Sequence, residues 1–248
     1  MSLSDKAILE IKELIRTGQF PPGSKLPPEA QLAAQLGLSR NLTREAVKAL
    51  ALARVLEVRR GDGTYVTSLA PGVLFEGLAS AVELLRPGTF LELIEVRRLF
   101  EPAATALAAT RVSDEQLAEI GTHLEAMRAA RDDVEALNAH DAAFHHAVVA
   151  ATGNETLTTL LDGISTHTLR ARVWRGLVDQ DAGGRTVAEH TAIYAALAEG
   201  NSALAHAAAL MHVNTTEHWL REHIDELSEA GAAATSAGRR KVSDAEPA

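Results

Sequence analysis

Cysteine is absent from this chain of 248 residues. That absence excludes a disulfide scaffold, a cysteine nucleophile, an iron–sulfur cluster and any cysteine-ligated zinc finger. Long apolar runs are missing too, and no stretch reaches the ~20 residues a membrane helix needs. The opening Met-Ser-Leu-Ser-Asp-Lys lacks the apolar centre of a secretion signal, so a cytoplasmic location without membrane contact is expected. Aromatic residues make up only 4% of the chain. Beyond residue 72 no alternating apolar–polar pattern occurs, which leaves little material for a sheet-rich body. What is present suffices for burial: 46% hydrophobic residues can fill an ordinary core without staples. At about 150 residues per domain, the length allows one or two domains.

Charge is unevenly spread. Residues 1–68 carry 10 Lys and Arg against 7 Asp and Glu, a net +3. The remainder carries 14 against 26, a net −12, and holds all 10 histidines. A basic head on an acidic, histidine-rich body predicts two modules with different partners. The body repels polyanions, so nucleic acid is expected to meet the head alone.

The head has a readable order. Residues 3–17 predict a helix, with Leu3, Ala7, Ile8, Ile11, Leu14 and Ile15 in one apolar stripe and Gly18 at its end. Pro21-Pro22-Gly23 breaks the chain. A second helix with Pro28 in its first turn carries Leu32, Ala33 and Leu36 and stops at Gly37. Ser39 is the N-cap of a third helix through Val47, Leu50 and Leu52. Residues 55–60 and 64–69 are rich in β-branched side chains and flank Gly61-Asp62-Gly63, a hairpin signal. Three short helices and a hairpin follow the winged helix-turn-helix order.

In a helix-turn-helix, the second helix of the motif enters the major groove of double-stranded DNA with its N-terminal end at the base edges. Here that end is Ser39-Arg40-Asn41-Leu42-Thr43-Arg44-Glu45, and Ser39, Arg40, Thr43 and Arg44 are its candidate contacts. Arg40 and Arg44 stand four residues apart and project from one face. Their guanidinium forks suit guanine edges or phosphates. Arg59 and Arg60 at the hairpin base are placed for neighbouring phosphates or the minor groove. The competing reading is a pair of solvated charges, with Arg44 held by a nearby Glu.

Past Pro71-Gly72 the chain reads helical, over 73–85, 89–110, 113–130, 133–151, 154–177, 185–199 and 202–228, with a disordered tail from 230. Ser113 with Gln116 forms a capping box, and Asn154 is an N-cap. Gly183-Gly184 marks a loop within 179–185, and Gly200-Asn201 separates the last two helices. The expected fold is mainly α: a winged helix-turn-helix domain over 1–70, an antiparallel all-α bundle over 71–229, and a tail over 230–248.

Asp141 and His145 fall at i and i+4 of one predicted helix and face the same way, while His140 and His146 point elsewhere. His190 precedes Gly200 by 10 residues and His212 follows it by 12. Those are about 15 and 18 Å of helix, so an antiparallel hairpin sets the two at nearly one level. Three imidazoles and one carboxylate can thus converge, as ligands do in bundle cores. Such a set suits divalent Zn, Ni, Mn or Fe. A six-coordinate ion would keep positions open for water or a chelating acid. With 10 histidines in the body, chance pairs compete with this reading, and His206, His218 and His223 read as exposed.

The head resembles the GntR family in Gly18-Gln19-Phe20-Pro21-Pro22-Gly23-Ser24-Lys25-Leu26-Pro27, Leu32-Ala33, Leu38-Ser39-Arg40, Arg44-Glu45-Ala46 and Gly61-Asp62-Gly63-Thr64-Tyr65-Val66. That resemblance implies a bacterial transcription regulator that binds a near-palindromic operator as a homodimer. Arg40 and Arg44 would contact DNA, and the wing, with Arg60, Gly61 and Gly63, would enter the minor groove. Ala30 stands where family members often carry Arg, so one customary contact is lacking. The body resembles the FCD effector domain of the FadR subgroup. Its points of likeness are Glu95-Val96-Arg97 with Glu101, Ala108-Ala109, Asp141-x-x-x-His145, Glu189-His190 and His212. This implies metal ligands at Asp141, His145, His190 and His212, with Arg97 engaging an effector carboxylate. A salt bridge to Glu101 is the other reading of Arg97. Arg172 and Arg175 are further effector candidates.

The chain therefore reads as a cytoplasmic, ligand-responsive repressor and not an enzyme, binding a divalent metal and a small organic acid. One rival is a metal-dependent hydrolase, since an open ion can activate water. It needs a positioned base, for which only His140 or Glu189 is on offer, and it leaves the basic head unexplained. The other rival is a structural metal without an effector.

Overall fold

The computed structural model describes residues 3–73, 89–179 and 181–243. The chain divides into two compact units, residues 1–83 and 84–248. The helix expected over 73–85 lies outside the described residues, save for Val73.

The first unit orders α1 (Leu3–Arg16), α2 (Glu29–Leu36), α3 (Arg40–Leu52), β1 (Leu56–Arg59) and β2 (Gly63–Val66). The apolar stripe of α1 turns Ala7 and Ile11 wholly inward, onto Leu32, Val47, Leu50, Leu56 and Val66 in one core. Gly37 closes α2 at φ +64°, donating its N–H to the Ala33 and Ala34 carbonyls. A side chain is strained in that conformation and glycine is not. Ser39 caps α3 by accepting from the Leu42 N–H at 3.3 Å, which sets the helix start beside the two arginines. The hairpin pairs Leu56 with Val66 and Arg59 with Gly63. The chain after Pro22 lies along the outer edge of β2, with Leu26 N–H to Thr64 O at 2.8 Å and Val66 N–H to Ser24 O at 2.9 Å. This third extended segment was not foreseen. It covers an edge that would otherwise be open.

The second unit is all helical: α4 (Thr89–Ala109), α5 (Asp114–Ala129), α6 (Val134–Ala150), α7 (Glu155–Val178), α8 (Ala182–Ala198) and α9 (Ser202–Ser243). Short connections join the helices, with α6 packed on both α5 and α7, and α8 packed on α5 and α9. Several starts have the expected chemistry. The Ser113–Gln116 capping box is made in both directions, and Asn154 Oδ1 accepts from the Leu157 N–H at 3.1 Å. Ile120, Leu124, Met127, Phe144, Ile193 and Leu197 fill the core between α5, α6 and α8. Among the described residues no helix is long and apolar enough to cross a membrane.

One expectation is corrected. Gly183 and Gly184 do not form a loop but the first turn of α8. A Cβ on Gly183 would stand 2.4 Å from the Arg131 carbonyl oxygen, so the glycine lets the helix start against that backbone rather than breaking it. The last helix, α9, runs as far as Ser243, within the stretch expected as the tail.

Candidate metal centre and nucleic-acid interface

The bundle brings all four expected ligands together. Asp141 and His145 come from α6, His190 from α8 and His212 from α9, with one donor atom of each within 4.8 Å of the others. His190 is fully buried, and Asp141 and His212 nearly so. Gly200, at φ +62°, makes the tight turn that brings α9 back along α8 and levels the last two histidines.

Hydrogen bonds from neighbouring groups fix which nitrogens face inward. His190 Nδ1–H donates to the Thr186 carbonyl at 2.7 Å, and His212 Nδ1–H donates to Glu189 Oε2 at 2.8 Å. Each imidazole is thereby held with the Nε2 lone pair toward the cluster, the arrangement a metal ligand needs. His190 Nε2 stands 3.2 Å from His145 Nε2 and 3.0 Å from Asp141 Oδ1. Donors on a common ion at about 2.0–2.2 Å are ~3 Å apart when adjacent. Lone pairs that close repel unless a proton or a cation lies between them. Burial disfavours the proton, holding His145 well below and His212 below the ordinary imidazole value. The donor set therefore fits a divalent ion.

The surrounding charges are paired. Burial opposes ionisation of Asp141, but the Arg172 guanidinium and the histidines outweigh it and keep the carboxyl well below its usual range. Arg172 pairs with Asp141 Oδ2 and donates to the Ser165 carbonyl at 3.0 Å, leaving Oδ1 toward the histidines. Glu101, which burial alone would raise, is brought to about 2 chiefly by Arg97.

Arg97 lies deep in the bundle. It is fully buried, with Nε on Glu101 Oε1 at 2.6 Å and Nη2 on Oε2 at 3.2 Å. Two prongs of its fork meet Glu101, the salt-bridge partner expected for it. A cavity of about 210 Å³ instead opens on Asp141 and His212, lined also by Asn138, Arg172, Arg175 and Thr216. The effector candidates that reach it are Arg172 and Arg175.

The other histidines divide. His146 is exposed and meets Asp162 at 2.8 Å, and His140 is half-buried with its ring 6.2 Å from that of His123. His206 and His218 are exposed. His223, expected in solvent, is half-buried and stacks on Trp219 at 4.4 Å. Its apolar ring face finds an aromatic partner one helical turn away. Thr186 and Glu189 were not foreseen as orienting groups. Thr186 had a signal, four residues before His190 on one helix; Glu189 reaches His212 only across the α8–α9 turn.

On the first unit, Arg40 and Arg44 are exposed on the outer face of α3, and Arg44 Nη2 donates to Asn41 Oδ1 at 2.8 Å. No glutamate holds it, since Glu45 pairs with Lys48 at 3.0 Å. Thr43 is fully buried, and its hydroxyl donates to the Ser39 carbonyl at 3.1 Å. Four residues on from Ser39, it lies on the core side of the helix. At the wing, Gly61 has φ +75° and Arg60 is exposed. Asp62 accepts from Lys25 Nζ and from the Tyr65 hydroxyl, both at 2.8 Å. These bonds hold its carboxyl below the usual value. Arg59 pairs with Glu57 at 2.9 Å and rests over the Tyr65 ring.

Residues 3–66 match the profile of the bacterial regulatory proteins of the gntR family, and residues 92–215 that of the FCD domain. The chain is 32% identical over 218 residues to the HTH-type transcriptional regulator LutR of Bacillus subtilis (strain 168), covering 86% of this chain and 99% of that one. It is 31% identical over 230 residues to the Galactonate operon transcriptional repressor of Escherichia coli (strain K12), covering 90% and 98%. A solved structure described as Streptococcus agalactiae GntR superposes with a TM-score of 0.65 at 28% identity, over 87% of this chain and 99% of that one. These families and relatives are regulators of transcription, not enzymes. A reading helix with exposed arginines, a glycine wing, a helical effector domain and these matches lead to one conclusion: the chain belongs to the GntR family, FadR subgroup, and is a DNA-binding transcriptional regulator with an FCD effector domain.

Proposed function

We propose that this regulator is a cytoplasmic, homodimeric repressor whose FCD domain binds one divalent ion (Zn, Ni, Mn or Fe) and a small organic acid that together set its operator affinity. The observation that carries this is the cluster of Asp141, His145, His190 and His212, with ligand atoms within 4.8 Å of one another and a cavity opening on it. The bound ion would supply positive charge and open coordination positions to a carboxylate. Thr186 and Glu189 hold two imidazoles in the ligating tautomer, and Arg172 orients Asp141 while offering its guanidinium to the cavity. A relative named for the repression of a galactonate operon is in keeping with a hydroxy acid, since galactonate is one. An acid that prefers one arrangement of the bundle shifts operator affinity by linkage, with a coupling of about 1–3 kcal/mol or roughly 5- to 150-fold.

DNA contact falls to Arg40 and Arg44 on the reading helix, with Ser39 at its cap and Arg60, Gly61 and Gly63 in the wing. Arg44→Ala is expected to weaken operator binding by about 1–3 kcal/mol, roughly 5- to 150-fold, at fixed salt. Metal content stays intact. An unchanged binding isotherm overturns the assignment. The effector half is checked by thermal unfolding of metal-loaded protein against hydroxy and dicarboxylic acids. A binding acid at 100 times its Kd adds about 2.7 kcal/mol and changes operator affinity. A screen with no shift leaves the metal purely structural.

A further inference from the structure

We propose that the effector carries two acidic groups and that Arg175 receives the second, one helical turn from the metal cluster; this deepens the effector assignment above and rests on it. Arg175 is 6% exposed and lines the cavity. Its Nε has no hydrogen-bond partner. Asp179 Oδ2 is 3.8 Å away in an ion pair, and Arg185 already pairs with that oxygen. Nη1 makes only a long bond, 3.4 Å, to Thr216 Oγ1. Glu189, the other carboxylate whose charge reaches it, is hydrogen-bonded by His212. Arg172, three residues earlier on the same face of α7, also has an Nε without a hydrogen-bond partner, but its other nitrogens are taken by Asp141 Oδ2 and the Ser165 carbonyl. Of the two arginines, Arg172 is hydrogen-bonded to its carboxylate, whereas Arg175 has only the longer ion pair to Asp179 and faces the cavity.

A buried guanidinium without a hydrogen-bonded anion is costly, and the cost is relieved by a carboxylate that enters beside it. The spacing says how large the ligand is. Arg172 to Arg175 is ~4.5 Å along α7, and His212 to Thr216 is ~6 Å along α9. The cavity thus has two polar levels about one turn apart. The first is the metal cluster with Arg172, and the second is Arg175 with Thr216. A short hydroxy-dicarboxylate spans both levels, whereas a monocarboxylate of lactate size reaches one.

The protein has its own reporter. Its only two tryptophans, Trp174 and Trp219, lie 5.2 Å apart, and the Arg175 guanidinium is 5.8 Å from the Trp219 ring. Metal-loaded full-length protein is titrated with malate, tartrate and lactate, followed by tryptophan fluorescence and by thermal unfolding. Malate or tartrate is expected to bind at least about tenfold tighter than lactate, in line with one extra charge-assisted contact. Arg175→Met brings the dicarboxylates down to lactate affinity and leaves lactate binding and metal content unchanged. Arg175→Lys keeps the charge without the fork and falls between; it serves alone if Arg175→Met does not fold. Equal affinities for malate and lactate in the native protein, or an unchanged ratio in either variant, overturn the second acidic group. If no acid binds the native protein, the effector assignment itself falls, and this inference with it.

Discussion

Arg97→Met is expected to lower the unfolding midpoint of the helical unit by roughly 6–20 °C. Arg97 and Glu101 are a wholly desolvated ion pair, at 0% and 5% side-chain exposure, joined by both prongs of the guanidinium. Removing one partner of such a pair leaves a buried, uncompensated carboxylate and costs about 3–5 kcal/mol. In a unit of this size each kcal/mol is worth about 2–4 °C. The attraction itself is not the source of the effect, because its gain is largely offset by desolvation of the two charges. The double change Arg97→Met with Glu101→Leu should therefore recover most of the loss. Circular dichroism melts of the two variants check this, and a single variant within 2–3 °C of the native protein, on the same scale, refutes it. The pair also sets a direction in pH. Glu101 is depressed from 4.5 to about 2 in the folded chain, so its stabilisation is complete above 4.5 and is lost as pH falls toward 2.

His190→Ala combined with His212→Ala is expected to abolish stoichiometric metal binding. What remains is Asp141 and His145, a two-donor pair on one helix, with two positions of the cluster removed. Elemental analysis after exhaustive dialysis reads the outcome, and full metal content in the variant refutes the ligand set. A second consequence is thermal. An ion held at 1,000 times its Kd stabilises the native protein by about 4.1 kcal/mol, an increment that a chelator should remove from the native protein and not from the variant. Comparing the two chelated proteins separates the lost ion from the cavities left by the missing rings.

Much of the site was legible because it depends on periodicity. Asp141 and His145 share a helix face, and His190 and His212 are levelled by counting residues on either side of Gly200. Caps such as Ser39, Ser113 and Asn154 were legible for a related reason, since each acts within three residues of itself. What sequence alone left open required knowledge of who fills a space. Arg97 had two candidate partners, and only the packing of α4 decided for Glu101. Gly183 read as a breaker until the Arg131 carbonyl was found where a side chain would sit. Thr43 is a proposed contact in sequence terms because its neighbours Arg40 and Arg44 are exposed, yet its own place in the turn faces the core. The segment along β2 went unseen because prolines and glycines signal a break, not what the chain does after it.

Lys25 and Tyr65 clasp Asp62 at the tip of the wing, which is the part of the head meant to approach a polyanion. An acid there should be a handicap, yet its charge is already spent inward. The clasp reaches from the loop ahead of α2 to the turn of the hairpin, so the attitude of the wing is set by a residue nearly 40 positions away. Such a tether is electrostatic and lies in water, and dissolved ions will loosen it. Ionic strength should therefore act on this head twice, once through the phosphates of the duplex and once through the posture of the finger that touches them.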